Sequence, residues 1–125
     1  KVMNRLTPFS FTLFLFLNTY FFSQKGIIVS SPQAFEQLMI SGNEQLLDVR
    51  TLDEFNSGHL EGAINIDIWT PHFIKEVKSH FDETKPLLVY CAGGGRSAMA
   101  AKDLRKKGFK LIYDLEGGIE AYYSD

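Results

Sequence analysis

A mostly parallel β-sheet covered by helices on both faces is the architecture this sequence predicts, and three observations predict it. Short apolar, β-branched runs alternate five times with segments of helical periodicity. Each connection is long enough for a crossover, and none carries the turn chemistry of a hairpin. The chain of 125 residues, 45% of them apolar, supplies material for one core and shows no internal repeat of solenoid length.

Taken in order, Gly26-Ile27-Ile28-Val29 reads as a first strand. Ser31 and Pro32 then supply a cap and a first-turn proline, and Phe35, Leu38 and Met39 place one apolar face on a helix ending near Gly42. Leu46-Leu47-Asp48-Val49-Arg50 is the second strand. Thr51-Leu52-Asp53-Glu54 has the capping-box pattern, so a short helix carrying Phe55 follows and stops at Gly58. Gly62-Ala63-Ile64-Asn65-Ile66 is the third strand. Thr70-Pro71 opens a helix with Phe73, Ile74 and Val77 facing inward, and Asp82-Glu83-Thr84-Lys85-Pro86 is a surface turn. Leu87-Leu88-Val89-Tyr90 is the fourth strand, buried on both faces. Ser97, Ala100, Ala101 and Leu104 share a face of the next helix, which ends at Gly108. Leu111-Ile112-Tyr113 is the last strand, and Gly117-Gly118 starts a terminal helix with Ile119 and Tyr122.

The fourth strand stops on Cys91, the single cysteine of the chain, and Ala92, Gly93, Gly94, Gly95, Arg96 and Ser97 lead from it into a helix. Glycines can take backbone angles closed to other residues, so successive N–H groups can turn inward around an anion or a thiolate. The helix that follows points its N-terminus at the same spot, and Arg96 adds a positive charge. A cysteine at a strand end is commonly a small buried hydrophobe. Three adjacent glycines argue otherwise, because packing alone does not require their entropic cost. A nucleotide-binding loop is excluded on residues: Gly-Lys-Ser/Thr is missing and the Gly-x-Gly-x-x-Gly spacing is not met. In open α/β sheets ligands bind beyond the carboxyl ends of the strands, and Cys91 is predicted at such an end.

One cysteine excludes an intramolecular disulfide, and His59, His72 and His80 are not at metal-ligand spacing, so neither a metal nor a cofactor is expected. Phe9 to Phe22 is an uncharged, largely apolar run preceded by Lys1 and Arg5, the layout of a secretory signal and short for a membrane span. Residues 1–23 are therefore expected to be a signal peptide cut between Ser23 and Gln24, with residues 24–125 as the folded domain and an exported, periplasmic location. Phe21 is larger than the usual cleavage rule permits, which keeps an uncleaved anchor as the alternative, with membrane association confined to residues 9–22. Loss of residues 1–23 moves the formal net charge from −2 to −4, which argues against nucleic acid as a partner. The basic group Lys102, Arg105, Lys106, Lys107 and Lys110 gathers around a helix end, where it suits the dipole.

Four segments together resemble single-domain members of the rhodanese family. They are Leu47-Asp48-Val49-Arg50, then Glu54-Phe55 through Gly58-His59-Leu60 to Gly62-Ala63-Ile64-Asn65-Ile66, then Tyr90 to Ser97, and Leu115-x-Gly117-Gly118-x-x-Ala121-Tyr122. The resemblance implies a three-layer α/β/α sandwich around a five-stranded parallel sheet, and a sulfurtransferase working through a persulfide on Cys91. In that family the loop from the cysteine to its last residue holds six residues, as Cys91 to Arg96 does. Related phosphatases and arsenate reductases use the longer Cys-x5-Arg, and remain the alternative from another reaction class. The resemblance further implies a small sulfur-containing anion such as thiosulfate, or a persulfide, as donor, and a thiol or cyanide as acceptor. Ala92 to Gly95 carry no basic side chain, which favours a second alternative, a persulfide carrier acting with a protein partner. Asp48 is read as a structural carboxylate paired with an arginine such as Arg50, with support of the loop as the alternative role, and His59 is expected to hold a turn by hydrogen bonds.

Overall fold

The computed structural model describes residues 25–42 and 44–124. The segment expected to be a signal peptide lies outside these residues. Five strands form one all-parallel sheet: β1 (Ile27–Ser30), β2 (Gln45–Asp48), β3 (Ile64–Asn65), β4 (Leu87–Tyr90) and β5 (Ile112–Leu115), in the order β1-β5-β4-β2-β3. The helices are α1 (Pro32–Ser41), α2 (Leu52–Ser57), α3 (Phe73–His80), α4 (Gly95–Lys106) and α5 (Gly118–Ser124). This is the three-layer sandwich the sequence predicts, with β4 at its centre.

Side chains of β4 alternate between two cores. Leu87, Val89 and Cys91 pack with Phe73 and Val77 of α3 and Ala100, Ala101 and Leu104 of α4. Leu88 and Tyr90 pack on the other face with Phe35 of α1 and Ile119 of α5. All four β4 residues are fully buried, as a central strand between two helical layers requires. The strand order reverses direction at β4, because β1 and β5 lie to one side and β2 and β3 to the other. The end of β4 is therefore a topological switch point, where such folds place ligands.

Several boundaries differ from the sequence reading, among them the second strand, which ends at Asp48 instead of Arg50. The third strand is two residues long instead of five, being an edge strand paired only with β2. The helix expected from Thr70-Pro71 begins at Phe73. Asp67 forms a turn there, its Oδ1 accepting from Trp69 N–H at 3.0 Å and its carbonyl from Thr70 N–H at 3.0 Å. His72 then enters the helix at φ +62°, left-handed backbone that few non-glycine residues adopt. The last strand continues through Asp114 and Leu115, so a buried carboxylate lies within an otherwise apolar strand.

Candidate active site

Cys91 follows β4 directly and is 1% exposed. Its Sγ accepts a hydrogen bond from Gly94 N–H at 3.0 Å, which folds the loop back over the sulfur. Of the three loop glycines only Gly94 has positive φ, +107°, and it caps α4. A side chain there would be strained by backbone conformation alone. Ser97, in the first turn of α4 and fully buried, places Oγ 3.5 Å from Sγ, where the thiol can donate to it. The same hydroxyl donates to Gly94 O at 3.2 Å, tying the loop to the helix it feeds.

The carbonyl side of the loop is held by α5. Ile119 N–H donates to Cys91 O at 2.9 Å and Glu120 N–H to Ala92 O at 3.1 Å. This approach is possible because Gly118 has no side chain: a Cβ there would lie 2.2 Å from Ala92 O and 2.6 Å from Cys91 O. The Gly117-Gly118 pair, read from the sequence as a helix start, is thus part of the loop's support.

Arg96 forms a two-pronged pair with Glu54 of α2, Nη1 to Oε1 at 2.8 Å and Nη2 to Oε2 at 2.9 Å. Glu54 also accepts from Thr51 N–H at 3.2 Å in the capping box, so one carboxylate fixes both the start of α2 and the end of the loop. The Arg96 hydrogen bonds hold the Glu54 carboxyl down at about 2, against burial acting the other way. Arg96 is held above its ordinary value chiefly by the same Glu54 bonds, with a smaller contribution from Cys91.

Asp48 and Arg50 form the pair expected of them. Asp48 is fully buried and takes the Arg50 backbone N–H at 2.8 Å, Nε at 3.2 and 3.1 Å, and Nη2 at 2.8 Å. Arg50 also donates to Gly58 O at 2.7 Å, and its guanidinium lies 5.6 Å from the centre of the Tyr90 ring. The Tyr90 hydroxyl accepts from Leu60 N–H at 3.1 Å, and burial pushes its pKa well above the ordinary tyrosine value. This network braces the residue before Cys91 and touches neither the sulfur nor residues 92–95. His59 stacks on Phe55 with ring centres 3.7 Å apart and bonds Phe55 O at 3.0 Å, holding a turn away from the loop.

Two contributors were missed by sequence reasoning. Glu54 was visible only as a local cap, although an acid in a capping box 42 residues before a loop arginine leaves one oxygen for a second partner. Asp114 lies on the Cys91 side of the sheet, opposite Val89, and is 5% exposed. The signal that could have found it is a lone carboxylate inside Ile112-Tyr113-Asp114-Leu115. Burial pushes this carboxyl up to about 6, and the Ser97 hydroxyl partly offsets that.

The family model described as "Rhodanese-like domain" matches residues 31–125. Thiosulfate sulfurtransferase 16, chloroplastic, of Arabidopsis thaliana is 38% identical over 94 residues, covering 68% of this chain and 78% of that protein. The tRNA uridine(34) hydroxylase of Chlamydia felis is 37% identical over 97 residues, covering 74% of this chain. The match spans only 30% of that hydroxylase's length. Among solved structures, the rhodanese-like domain of an Anabaena protein superposes with a TM-score of 0.68 at 26% identity, covering 77% of this chain and 73% of that one. A rhodanese-related protein from Thermoplasma volcanium gives 0.65 at 27% identity, over 78% and 91%.

Proposed function

The chain belongs to the rhodanese-like domain family, and from that premise we propose that it is a sulfurtransferase whose reacting atom is the Sγ of Cys91. The observation that carries this reading is the Gly94 N–H aimed at that sulfur from 3.0 Å, in a six-residue loop at the switch point of the sheet. An N–H donor at that distance stabilises negative charge on sulfur, both in the attacking thiolate and in the product persulfide.

In the first half-reaction the Cys91 thiolate attacks the outer sulfur of a donor such as thiosulfate. A new S–S bond forms at Cys91, the S–S bond of thiosulfate breaks, and its electron pair leaves with sulfite. In the second half-reaction a thiophilic nucleophile, cyanide in the assay or a thiol, attacks the outer sulfur. The electron pair of the cleaved S–S bond returns to Cys91 as thiolate. No net oxidation occurs over the cycle, and no second cysteine is required. The uncharged stretch Ala92 to Gly95 favours a second reading, in which Cys91 holds the persulfide for a protein acceptor and turns over free thiosulfate slowly. We further propose export directed by residues 1–23, which size and fractionation of the cellular protein test.

Intact mass of the full chain before and after thiosulfate, then after cyanide with thiocyanate detection, tests the reading. A gain of one sulfur that cyanide removes as thiocyanate is the expected result, and Cys91→Ser should show neither step. A gain from persulfide donors alone supports the carrier. Retention of sulfur transfer by Cys91→Ser would overturn both, and hydrolysis of p-nitrophenyl phosphate or reduction of arsenate without any sulfur gain would move the chain to the oxyanion class.

A further inference from the structure

An open groove of about 680 Å³ runs between α4, α3 and the turn before α3, on the face of the sheet that carries Cys91. Ile68, Trp69, Ile74 and Met99 form its apolar part, and Trp69 and Met99 are 65% and 43% exposed. A tryptophan with so much of its ring in water contributes little to the core, and adjoining exposed apolar side chains mark a contact surface. Trp69 is held there by the fold. Its N–H is bound to Asp67 Oδ1 at 3.0 Å, and the turn leads through His72, at φ +62°, into α3. Backbone of that kind in a non-glycine residue persists where its surroundings enforce it.

One end of the groove adjoins the reacting loop. Met99 follows Arg96, the last residue of the loop, by three positions and so lies on the next turn of α4. The Asp67 carboxylate that holds the Trp69 turn also reaches Arg96 electrostatically. From Met99 the groove follows α4 to Lys107, eight residues or about 12 Å away. Lys75, Lys78 and Lys107 line it, with Asp103 as the one acid among the described residues there. Lys78 shares its charge with exposed Glu83 at 3.3 Å, whereas Lys75 and Lys107 enter no ion pair among the described residues. The imbalance extends over the whole layer. The helices α3 and α4 carry six lysines and arginines against Glu76 and Asp103, while α1 and α5, across the sheet, carry Glu36 and Glu120 and no base. In a chain that is net acidic, positive charge is gathered on the face of the cysteine.

We propose that this groove docks a protein acceptor of the Cys91 sulfur through an acidic segment with an apolar anchor, the anchor resting on Trp69 and Met99 and the carboxylates lying over Lys75, Lys78 and Lys107. The inference rests on Cys91 carrying the persulfide, and it gives the carrier reading a partner chemistry. The placement also sets the pattern of the segment. Its accepting cysteine adjoins the apolar residue on the loop side, and its acids stand three or four residues beyond, since about 12 Å is that length of extended chain. The acceptor thiolate attacks the outer sulfur of the persulfide, the S–S bond at Cys91 breaks, and its electron pair returns to Cys91 as thiolate while the acceptor leaves as the persulfide. Charge of this kind governs encounter rate and choice of partner. Selection of an anionic partner then needs no basic side chain in Ala92 to Gly95.

Trp69 is the single tryptophan of the chain, so its fluorescence on the full-length protein reports occupancy of the groove. The probe is an eight-residue peptide without aromatic residues: a cysteine at one end, a leucine two positions on, and four glutamates at the other end. A twin with lysines for the glutamates is the control, and both are made with serine for cysteine when binding alone is measured. The acidic peptide is expected to move Trp69 emission to shorter wavelength saturably. Lys75→Glu combined with Lys107→Glu, both at exposed positions, should raise its Kd at least about fivefold, and so should about 500 mM salt in place of 50 mM. With the persulfide loaded, sulfur should pass to the acidic cysteine peptide at least about fivefold faster than to its lysine twin, and the double variant should lose that preference. Cyanide serves as reference acceptor for each protein, so differences in loading or folding cancel.

No saturable shift with the acidic peptide, equal shifts with both peptides, or a Kd indifferent to the two substitutions overturns the proposal. A stronger shift from a twelve-residue oligonucleotide would give the groove to nucleic acid, and self-association in sedimentation that Trp69→Ala abolishes would give it to a second copy of the chain; either also overturns it. If Cys91 gains sulfur from no donor, the sulfurtransferase reading fails and the acceptor role falls with it, while the fluorescence titration still decides whether the groove holds an acidic segment.

Discussion

Two buried aspartates flank the central strand, and they are treated in opposite ways. Asp48 on β2 is the partner of Tyr90, and every direction from its carboxylate meets a donor supplied by Arg50 two residues later. Asp114 on β5 is the partner of Val89 and has no ion pair among the described residues, with only the Ser97 hydroxyl acting against the effect of its burial. Residue type, burial and distance from β4 are matched, so the difference lies in compensation. A compensated charge serves as a brace. An uncompensated one keeps its proton into the range where sulfur chemistry operates, and it sits on the face of the sheet that carries Cys91.

The sharpest way to break the contrast is to strip Asp48 of its partner. Arg50→Met leaves a buried carboxylate unpaired and removes the donor to Gly58 O, and it should destabilise the fold by about 3–5 kcal/mol in urea unfolding at pH 7. Adding Asp48→Asn to that variant should recover part of the loss, because the stranded charge is gone. If Arg50→Met lost less than about 1 kcal/mol, Asp48 would be no better compensated than Asp114, and the comparison would collapse.

The second prediction concerns Asp114 itself and follows from the sign of its shift. Its carboxyl is pushed up to about 6 in the fold, against an ordinary value of 3.8. Between those values the folded protein binds more protons than the unfolded chain, so stability falls as pH rises. The contribution is fully present below pH 3.8 and lost once pH passes about 6, a decline of about 2–3 kcal/mol. Asp114→Asn should flatten that decline and be more stable than wild type at pH 7.5, the reverse of what Arg50→Met does on the other side of β4. Unfolding by urea at pH 4, 5, 6 and 7.5 measures it, and a decline of equal size in Asp114→Asn would assign it to another group.

The contrast between the aspartates also shows what the chain discloses before it folds. Asp48 and Arg50 are two residues apart, so their pairing is a local matter that spacing reveals, and the same is true of Gly94 capping α4 three residues after Cys91. The alternation of apolar runs with helical periods was enough for the sheet and its layers, because period is a local property of the chain. Asp114 meets Ser97 only through the pairing of β5 with β4, and register between strands distant in sequence is set by tertiary packing. Aspartate has low strand propensity, so nothing local extends the strand past Tyr113, where the sequence reading ends it. Glu54 met Arg96 across 42 residues for the same reason, and Gly118 shows its purpose only once Cys91 O and Ala92 O lie against it. The shortness of β3 follows from its place at the sheet edge, which strand order decides.

Glu54 supplies the intermediate case, and the smallest expected effect. Like Asp48 it is paired with an arginine in two-pronged fashion, but its side chain is 34% exposed, so water screens the pair and its energy is discounted accordingly. Its carboxyl is held down at about 2 against an ordinary 4.5, the opposite sign to Asp114. The stability it contributes is present above pH 4.5 and lost as pH falls toward 2, and after screening amounts to about 1 kcal/mol. Glu54→Gln should therefore remove a shallow acid limb below pH 4 and leave the Asp114 decline between pH 4 and 6 untouched. It should also weaken the hold on Arg96 at the end of the loop, slowing the proposed sulfur uptake by Cys91 more than it lowers stability. Equal and small losses in both would place the pair among surface salt bridges of no consequence. A large loss of uptake with stability near wild type would instead make Glu54 the outer brace of the loop, as Ser97 is the inner one.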